Sequence, residues 1–305
     1  MRHLQPEIVT PFCIPERDFQ IVVVGCGGNG SQIAGGLGRL CYHLRSVARA
    51  PAVNVVLIDG DRFAQKNVGR QLARVRDIGV NKAQALAARV SADYGLRFEA
   101  IPEMLTDKML GDLISGQEDP GRGANRTNLI VVGCVDRPEA RAMIHSQLAM
   151  GGRDLRWLWL DIGNHEHTGQ VVLGSVRTWA SLRGSMALGG ICAALPSPGL
   201  LLPELVAIPK PPKKPRGRPR KVPLANCADD VATNRQSFGI NGVLAAIGLE
   251  YLTQLITTRS VTRLRTTVDV KALTIASELI TMERLRSLSG LSEDELRGIG
   301  PQKKG

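Results

Sequence analysis

A glycine-rich segment offers the clearest chemistry in this sequence. It reads Gly25-Cys26-Gly27-Gly28-Asn29-Gly30-Ser31 and lies between a β-branched run and a helical pattern. Glycines allow the backbone to turn tightly and to approach a phosphate, and the unpaired N–H groups of the following helix attract an anion. By itself the motif also fits a strand-to-helix turn without a ligand, or the dinucleotide site of a nicotinamide enzyme.

Polar residues downstream favour a triphosphate over a dinucleotide. Asp59 and Asp61 follow a second β-branched run, where a carboxylate can accept a hydrogen bond from a ribose hydroxyl. Arg70 and Lys82 come next, and they can neutralise phosphate oxygens and the charge that develops on a departing pyrophosphate. A dinucleotide diphosphate does not require these two cations, so the pattern predicts ATP. Two amides accompany Arg70 in the same stretch, Asn67 and Gln71.

Asp136 is the candidate metal ligand. It follows a third apolar run, residues 129–132, at the carboxyl end of a predicted strand. Ligands of open α/β sheets bind at these ends, and a carboxylate there can hold Mg²⁺ that bridges phosphates. Two structural alternatives stay open, with Arg70 as a surface cation and Asp136 as the N-cap of a helix that begins near Pro138.

The elements that position these residues follow from hydrophobic patterning. Residues 21–24, 53–58 and 129–132 are continuous apolar runs that predict strands buried on both faces of a parallel sheet. Helical patterns cover Gln32–Val47 and Lys82–Tyr94. This alternation predicts right-handed βαβ units, and therefore an α/β fold with a Rossmann-like, doubly wound, mostly parallel sheet.

The second half of the chain contains further predicted elements: strands at Leu155–Ile162 and Gln170–Val176, a long helix from about Asp230 to Ile256, a strand over 264–275 and a helix over 278–288. Eight prolines fall between Ser197 and Pro223, which predicts an extended crossover loop without a helix. The resulting organisation is an N-terminal arm (1–18), an ATP-binding half (19–176), a crossover loop (177–229) with a basic segment (210–221), a C-terminal half of the same domain (230–290) and a tail (291–305).

The ordered motifs resemble the adenylating domain of the ThiF/MoeB/E1 superfamily, the enzymes of ubiquitin-activating type. The matching elements are G-x-G-G-x-G, D-x-D, N-x-x-R-Q, the following lysine, and the C-x-D-x-x-x-x-R of Cys134, Asp136 and Arg141. The resemblance covers about residues 20–175 and returns weakly at 226–255. Within the superfamily, the chain looks most like the ThiF-related proteins of bacterial PRTRC cassettes. The CxxC zinc pairs of many relatives are absent from the sequence, and Arg17 is the only stand-in for their N-terminal arginine motif.

The resemblance implies an activity and a set of site residues. ATP would react with the C-terminal carboxylate of a ubiquitin-like or sulfur-carrier protein to give an acyl-adenylate and pyrophosphate. The implied catalytic residues are Arg70, Lys82, Asp136 and Cys227, with Asp136 holding Mg²⁺. The implied nucleotide-binding residues are Gly25, Gly27, Gly28, Gly30, Asp59, Asp61, Asn67, Arg70, Gln71 and Lys82. Relatives are commonly homodimers, so the resemblance also implies a homodimer.

Cys227 is the candidate for a second chemical step. It lies between the crossover loop and the long helix, where relatives often carry the cysteine that accepts the acyl group. A thiolate near a helix start is stabilised by the helix dipole, but Asp229 and Asp230 disfavour the anion. An inert cysteine is the alternative. The pair His165 and His167 predicts a plain turn rather than a metal site, because no third ligand is evident.

The net charge of +11 is concentrated in one segment. Seven cations and no acid lie between Lys210 and Lys221, and the rest of the chain carries only +4. Arg216, Gly217 and Arg218 resemble the core of an AT-hook, which lies in the minor groove of A/T-rich DNA. A solubilising, self-repelling loop is the alternative.

Composition excludes several other classes. Only 4% of the residues are aromatic, and the six cysteines form no CxxC pair, which argues against a ring-stacking platform, a disulfide framework and a zinc site. The N-terminus lacks the apolar core of a signal peptide. Phe238–Ile256 contains Asn241, Glu250 and Gln254, so this stretch predicts a buried helix rather than a bilayer span. These features predict a cytoplasmic protein without membrane binding.

The leading functional hypothesis is therefore an ATP-dependent adenylating enzyme that acts on the C-terminus of a carrier protein. A tRNA-modifying dehydratase of the same fold is the second enzyme class. A DNA-tethered scaffold that keeps the fold without turnover is the non-enzymatic alternative. A nicotinamide oxidoreductase is disfavoured by Arg70 and Lys82.

Overall fold

An eight-stranded sheet forms the centre of the protein. The computed structural model describes residues 8–115, 127–148, 157–209 and 237–299. The strands in these ranges are β1 (Phe12–Cys13), β2 (Phe19–Val24), β3 (Val53–Ile58), β4 (Glu99–Ile101), β5 (Asn128–Gly133), β6 (Trp157–Asn164), β7 (Thr168–Gly174), β8 (Ser260–Val261), β9 (Arg263–Asp269) and β10 (Thr274–Leu279). The order in the large sheet is β10-β9-β7-β6-β5-β2-β3-β4, and β1 pairs separately with β8.

The sheet consists of a parallel and an antiparallel part. Strands β4, β3, β2, β5 and β6 are parallel to one another, whereas β7, β9 and β10 continue the sheet in antiparallel pairs. The apolar runs at 21–24, 53–58 and 129–132 form the central strands β2, β3 and β5. The predicted Rossmann-like, doubly wound, mostly parallel sheet is therefore confirmed.

Helices cover both faces of the sheet. They are α1 (Gly28–Leu44), α2 (Lys82–Tyr94), α3 (Asp107–Ser115), α4 (Pro138–Gln147), α5 (Pro198–Leu201), α6 (Ile240–Thr258), α7 (Met282–Ser289) and α8 (Glu293–Arg297). Successive residues of β2 point to opposite faces, so Ile21 and Val23 join the core under α1, α2 and α6. Val22 and Val24 join the core under α3 and α4. This double burial is the reason that the central strands read as continuous apolar runs.

The helix predicted at Lys82–Tyr94 has those bounds in the structure. Asn81 begins it, because its side chain accepts a hydrogen bond from the Gln84 N–H at 3.1 Å, and Gly95 ends it with φ +62. Helix α1 begins at Gly28, four residues before the predicted start at Gln32. Helix α1 therefore begins only four residues after Val24, the last residue of β2.

Two C-terminal predictions require correction. The single strand predicted over 264–275 is a hairpin of β9 and β10, because Asp269 Oδ1 accepts the N–H groups of Lys271 at 2.9 Å and Ala272 at 3.0 Å and so turns the chain. The helix predicted over 278–288 begins only at Met282, since residues 274–279 pair with β9. The Thr281 side chain caps this helix.

The predicted crossover loop also differs from the structure where the chain is described. Pro198–Leu201 is a short helix, so the prediction that Ser197–Pro223 contains no helix is wrong there. Proline is compatible with the first helical position, and Ser197 Oγ accepts the Leu200 N–H at 3.2 Å. The predicted tail contains α8, whose Leu296 is buried.

One helix among the described residues, α6, is long and apolar enough to cross a membrane by length and composition alone. In this structure it lies against α1, β6 and β7, and eight of its 19 residues are buried. The sequence prediction of a buried helix over this stretch agrees with that packing.

Candidate active site at the carboxyl edge of the sheet

A cavity of about 930 Å³ lies where four parallel strands end. Its wall includes Val24 at the end of β2, Ile58 at the end of β3, Cys134 after β5 and Ile162 on β6. Strands β3 and β4 lie on one side of β2, and β5 and β6 lie on the other, so the chain changes direction at this point of the sheet. Open α/β sheets bind their ligands at such a position.

The glycine-rich segment forms a tight turn at the cavity. Gly25 has φ +87, and a Cβ there would lie 2.7 Å from the carbonyl oxygen of Cys134. A Cβ on Gly30 would lie 1.8 Å from the carbonyl oxygen of Gly25. Both positions therefore require glycine for packing. Gly27 and Gly28 line the cavity, and a Cβ on Gly27 would meet nothing closer than 3.9 Å. Packing therefore does not require glycine at Gly27, and the missing side chain leaves the backbone there open to the cavity.

The N-terminus of α1 is open to an anion. Gly27 is the N-cap and provides no side chain to cap the helix, and no acidic residue lies in the first turn. Within the described ranges, the N–H groups of Gly28, Asn29 and Gly30 have no hydrogen-bond partner. These N–H groups and the helix dipole together form a site that is suited to phosphate.

Asp59 ties the glycine turn to the end of β3. Its Oδ2 accepts the Cys26 N–H at 2.6 Å, and its Oδ1 accepts the Asp61 N–H at 2.8 Å. The side chain lines the cavity and is buried. The same carboxylate that the sequence predicts as a ribose acceptor thus also fixes the backbone on which the phosphate site depends.

Lys82 lies opposite the glycine turn at the start of α2. Its Nζ is 3.0 Å from Asp61 Oδ2, and its side chain is 11% exposed against 54% for that of Asp61. Asn81 orients this loop, because its Nδ2 donates to the carbonyl oxygen of Asp59 at 2.7 Å. Arg70 and Gln71 line the same cavity. Both predicted cations, Arg70 and Lys82, therefore lie at the wall of the same cavity.

Asp136 lines the cavity and is exposed. The N-cap of α4 is Arg137, so the alternative reading of Asp136 as a helix cap is wrong. In the part of the chain that the structure describes, Asp136 forms no ion pair, and no group of three His, Cys, Asp or Glu residues could hold a metal by itself. A cation bound by Asp136 would need further oxygen ligands from phosphate or water.

Two predicted ligand residues do not line the cavity. Asn67 Oδ1 accepts the Ala64 N–H at 2.8 Å and so stabilises the short helical turn Gln65–Asn67. Gly30 is inside α1 and packs against Gly25. The structure therefore gives both residues a role in shaping the loops, whereas the other predicted residues in the described ranges lie at the cavity wall.

A buried ion pair at the cavity was not predicted. Arg141 Nε donates to Asp161 Oδ1 at 2.9 Å, and the two side chains are 9% and 0% exposed. Burial raises the pKa of Asp161, while the charge and the hydrogen bond of Arg141 act to lower it. Arg141 lines the cavity. The sequence singles out Arg141 through the C-x-D-x-x-x-x-R motif and shows one acid inside the apolar strand β6, but no pattern links the two residues.

Asparagine side chains link the glycine turn to the other side of the cavity. Asn29 Nδ2 donates to Asn164 Oδ1 at 3.0 Å and to the carbonyl oxygen of Ile162 at 3.4 Å. Asn29, Asn164 and Asn241 all line the cavity. His165 follows Asn164 in the turn between β6 and β7, as predicted for this pair of histidines. Asn29 occupies a variable position of the glycine motif, so spacing alone does not single it out.

The cysteines in the described ranges have pKa values above that of a free thiol. Burial is the main cause for Cys13, Cys26, Cys41, Cys134 and Cys192. It raises the pKa of Cys41 to about 11 and that of Cys192 to about 12. These thiols are protonated at neutral pH, which makes them poor nucleophiles. Cys227 and the basic segment with Arg216, Gly217 and Arg218 lie outside the described residues.

Comparison with known proteins identifies the family. A sequence profile of the ThiF family matches residues 16–173, about half of the chain. No protein of curated function matches the sequence. The fold is similar to that of PaaA, with 16% identity and a TM-score of 0.52 over 86% of this chain and 64% of that chain.

Escherichia coli MccB has the same fold. Its structure with MccA-N7isoASN has 14% identity and a TM-score of 0.52, and its structure with ATP has 15% identity and a TM-score of 0.51. Each match covers 86% of this chain and 64% of the MccB chain, so the present chain spans less than two thirds of the length of these proteins. At such identities the similarity establishes the fold alone. Because the family profile covers both the glycine turn and Asp136, this chain belongs to the ThiF family.

Proposed function

We propose that this protein uses ATP to adenylate the C-terminal carboxylate of a ubiquitin-like or sulfur-carrier protein. One observation carries the proposal: a single cavity contains the open N-terminus of α1, the cations Arg70 and Lys82, and the exposed carboxylate of Asp136. Membership of the ThiF family supports this chemistry. The fold shared with MccB, which was crystallised with ATP, supports it further.

Each part of the cavity fits one part of ATP. The unpaired N–H groups at the start of α1 can bind phosphate oxygens, and the absence of a side chain at Gly27 allows close approach. Arg70 and Lys82 can stabilise the negative charge that grows on pyrophosphate as it departs. Asp59 retains oxygen lone pairs that can accept a hydrogen bond from a ribose hydroxyl, because each of its oxygens accepts a single backbone N–H.

Asp136 fits a magnesium ion that takes most of its ligands from elsewhere. It is a single exposed carboxylate at the cavity, which matches the one or two carboxylates by which Mg²⁺ is usually held beside substrate phosphates. Bound there, Mg²⁺ would neutralise part of the phosphate charge. The remaining work belongs to the chain itself, which binds the nucleotide and orients the α-phosphate toward the acceptor.

The reaction needs positioning rather than a base. An oxygen of the acceptor carboxylate attacks the α-phosphorus and forms an O–P bond. The bond from the α-phosphorus to the oxygen that bridges to the β-phosphorus breaks, and its electron pair leaves with pyrophosphate. No proton moves, because a carboxylate is already ionised at neutral pH. The side chains around the cavity therefore contribute by orientation and by charge stabilisation.

The nature of the acceptor is supported by analogy. MccB was crystallised with AMPCPP and MccA together, so a protein of this fold can hold a nucleotide analogue and a second molecule at the same time. We propose a protein tail with a free carboxylate in the corresponding place. The homodimer, the cytoplasmic location, the transfer to Cys227, the binding of A/T-rich DNA and the closer relation to PRTRC proteins stay predictions.

Isotope exchange between ATP and pyrophosphate tests the proposal. The assay contains Mg²⁺ and a carrier protein that ends in Gly-Gly, and it measures transfer of labelled pyrophosphate into ATP. We expect exchange by the unchanged protein and its loss in Arg70→Ala and Asp136→Ala. Arg39→Ala and Asp93→Asn are matched controls on exposed parts of α1 and α2 away from the cavity, and they should exchange normally.

The outcomes separate the functional classes. Near-normal exchange in both cavity variants would refute the proposed site. Exchange that depends on tRNA instead of a carrier protein would favour the dehydratase. Tight ATP binding without exchange for any acceptor would favour a scaffold that retains the fold without turnover.

A further inference from the structure

Asn29 makes contact with both sides of the cavity. It is the second residue of α1, so its backbone N–H belongs to the unpaired group at the start of that helix. Its side chain instead points toward β6, where Nδ2 donates to the carbonyl oxygen of Ile162 at 3.4 Å and to Asn164 Oδ1 at 3.0 Å. A single residue thus joins the proposed phosphate site to the turn between β6 and β7.

The orientation of the Asn29 amide is fixed by its partners. The carbonyl oxygen of Ile162 can only accept a hydrogen bond, so the nitrogen of Asn29 must face it. Asn164 then has to present its oxygen to Asn29, which directs its own Nδ2 to the carbonyl oxygen of His165 at 3.3 Å. In each of these hydrogen bonds the donor lies nearer to α1 than the acceptor, so the series leads from Asn29 through Asn164 to His165.

The Asn29 side chain is only partly satisfied in its hydrogen bonding. It is 6% exposed, and its Oδ1 has no hydrogen-bond partner among the described residues. A buried amide oxygen without a partner raises the free energy of this arrangement. A shift of the first turn of α1 on anion binding would change the surroundings of this oxygen and the hydrogen bonds of Nδ2 together.

We propose that Asn29 is a positioning residue that couples nucleotide binding at the glycine turn to the order of the β6–β7 turn. This inference rests on the proposed function, because it requires a nucleotide at the start of α1. Phosphate bound by the backbone N–H of Asn29 holds that residue in place, and its side chain then holds Asn164 and the turn. The turn lines the cavity through Asn164, His165 and Glu166, so a change in its order would alter the wall of the cavity that faces the nucleotide.

Hydrogen exchange of the turn amides measures this coupling without any acceptor. The probe is α,β-methylene ATP with Mg²⁺, whose binding to each variant is first measured by calorimetry. At saturation we expect exchange of residues 163–168 to slow by about fivefold or more in the unchanged protein, which corresponds to a modest coupling free energy. Asn29→Ala and Asn164→Ala should reduce that slowing to less than about twofold.

Two further variants separate coupling from general damage. Asn54→Ala is the matched control, because Asn54 is an exposed amide near the amino end of β3, away from the cavity, and its side chain forms no hydrogen bond to another described residue. It should keep the full effect of the nucleotide. Asn164→Asp keeps an oxygen that can accept from Asn29 Nδ2 but loses the donor to the carbonyl oxygen of His165, so it should restore only part of the slowing that Asn164→Ala loses.

Each outcome has a distinct meaning. If the analogue binds the unchanged protein but the turn exchanges equally fast with and without it, the inference is overturned and the proposed function is not. The inference is also overturned if Asn29→Ala binds the analogue and keeps the full slowing. If the unchanged protein does not bind the analogue at all, the proposed function fails first, and the inference fails with it.

Discussion

The parallel and antiparallel parts of the sheet use charged residues in opposite ways. In the antiparallel part, Glu278 on β10 accepts hydrogen bonds from Arg265 and Arg284, so its charge is balanced within the protein. At the carboxyl edge of the parallel part, Asp136 and Arg137 lie at a cavity and form no ion pair with any other described residue. The difference separates charges that are balanced within the described protein from charges that are available to a ligand.

The contrast also appears within the cavity itself. Asp161 and Asp136 are both carboxylates near the carboxyl end of parallel strands. Asp161 is buried and bonded to Arg141, whereas Asp136 is exposed. Residue type and location in the sheet are therefore insufficient to assign a role. Burial and pairing decide whether a charged side chain serves stability or ligand binding.

The largest expected effect on stability tests this distinction directly. Asp161→Ala should lower the free energy of unfolding by about 3–5 kcal/mol, because it leaves the buried charge of Arg141 without a partner. Asp136→Ala should change it by less than about 0.5 kcal/mol, since no hydrogen bond or ion pair to another described residue is lost. Chemical denaturation of both variants measures the difference.

The loss of adenylation in these two variants should not follow the loss of stability. Asp136→Ala should fold normally and lose adenylation. If Asp136→Ala destabilised the protein as much as Asp161→Ala does, Asp136 would be a structural residue, and the assignment of the exposed carboxylate to the metal would be lost.

The glycine turn provides the next test. Gly25→Ala should lower the free energy of unfolding by about 1–3 kcal/mol, because Gly25 has φ +87 and a Cβ there would approach Cys134. Gly27→Ala has free space for its Cβ, so it should cost less than about 0.5 kcal/mol of stability but weaken ATP binding by about tenfold or more. Thermal unfolding and calorimetric titration distinguish the two effects. Unchanged ATP affinity in Gly27→Ala would place the phosphates elsewhere.

The sequence predicts the parallel part well because its signals are local and strong. The central strands are continuous β-branched runs, and α2 has a cap at each end, Asn81 and Gly95. Their order along the chain then determines which side chains meet at the carboxyl edge. Gly27, Asp59, Arg70, Lys82 and Asp136 could be placed at one site for this reason.

The features that the sequence does not predict depend on contacts between distant parts of the chain. Arg141 and Asp161 are 20 residues apart, and Asn29 and Asn164 are 135 residues apart. No local pattern reports such pairs. The β9–β10 hairpin was missed for another reason: the alternation over 264–275 continues through the turn, and only the side chain of Asp269 marks the reversal. Asn67 was assigned to the ligand because its role in a local turn is not visible in its spacing.

The two arginines around Glu278 predict a moderate contribution to the free energy of unfolding that depends on pH. Burial acts to raise the pKa of Glu278, but the hydrogen bonds and charges of Arg265 and Arg284 outweigh it and place the pKa below its ordinary value. The stabilisation is therefore present above the unfolded pKa and is lost as the pH falls through the lowered folded pKa. Glu278→Gln should cost about 0.5–1 kcal/mol at neutral pH, reduced by solvent screening of a side chain that is 26% exposed.

Unfolding curves of Glu278→Gln between neutral and acidic pH measure this effect. The difference from the unchanged protein should shrink as the pH falls. Glu250→Gln is the matched control, because Glu250 lies on an exposed part of α6 and bonds only to Gln254 among the described residues. A constant difference at all pH values would mean that packing, rather than charge, stabilises this region.

The smallest expected effect concerns two lysine–aspartate pairs. Lys108 Nζ lies 2.6 Å from Asp112 Oδ2, which is closer than the 3.0 Å between Lys82 Nζ and Asp61 Oδ2. The side chains of the first pair are 85% and 65% exposed, whereas that of Lys82 is 11% exposed at the cavity. Water and salt screen the exposed pair, so Lys108→Gln should shift the melting temperature by less than about 1 °C and leave adenylation unchanged.

Lys82→Gln should fold but exchange pyrophosphate slowly. Equal activity in the two variants would show that the cation at the start of α2 is, like Lys108, only a surface charge.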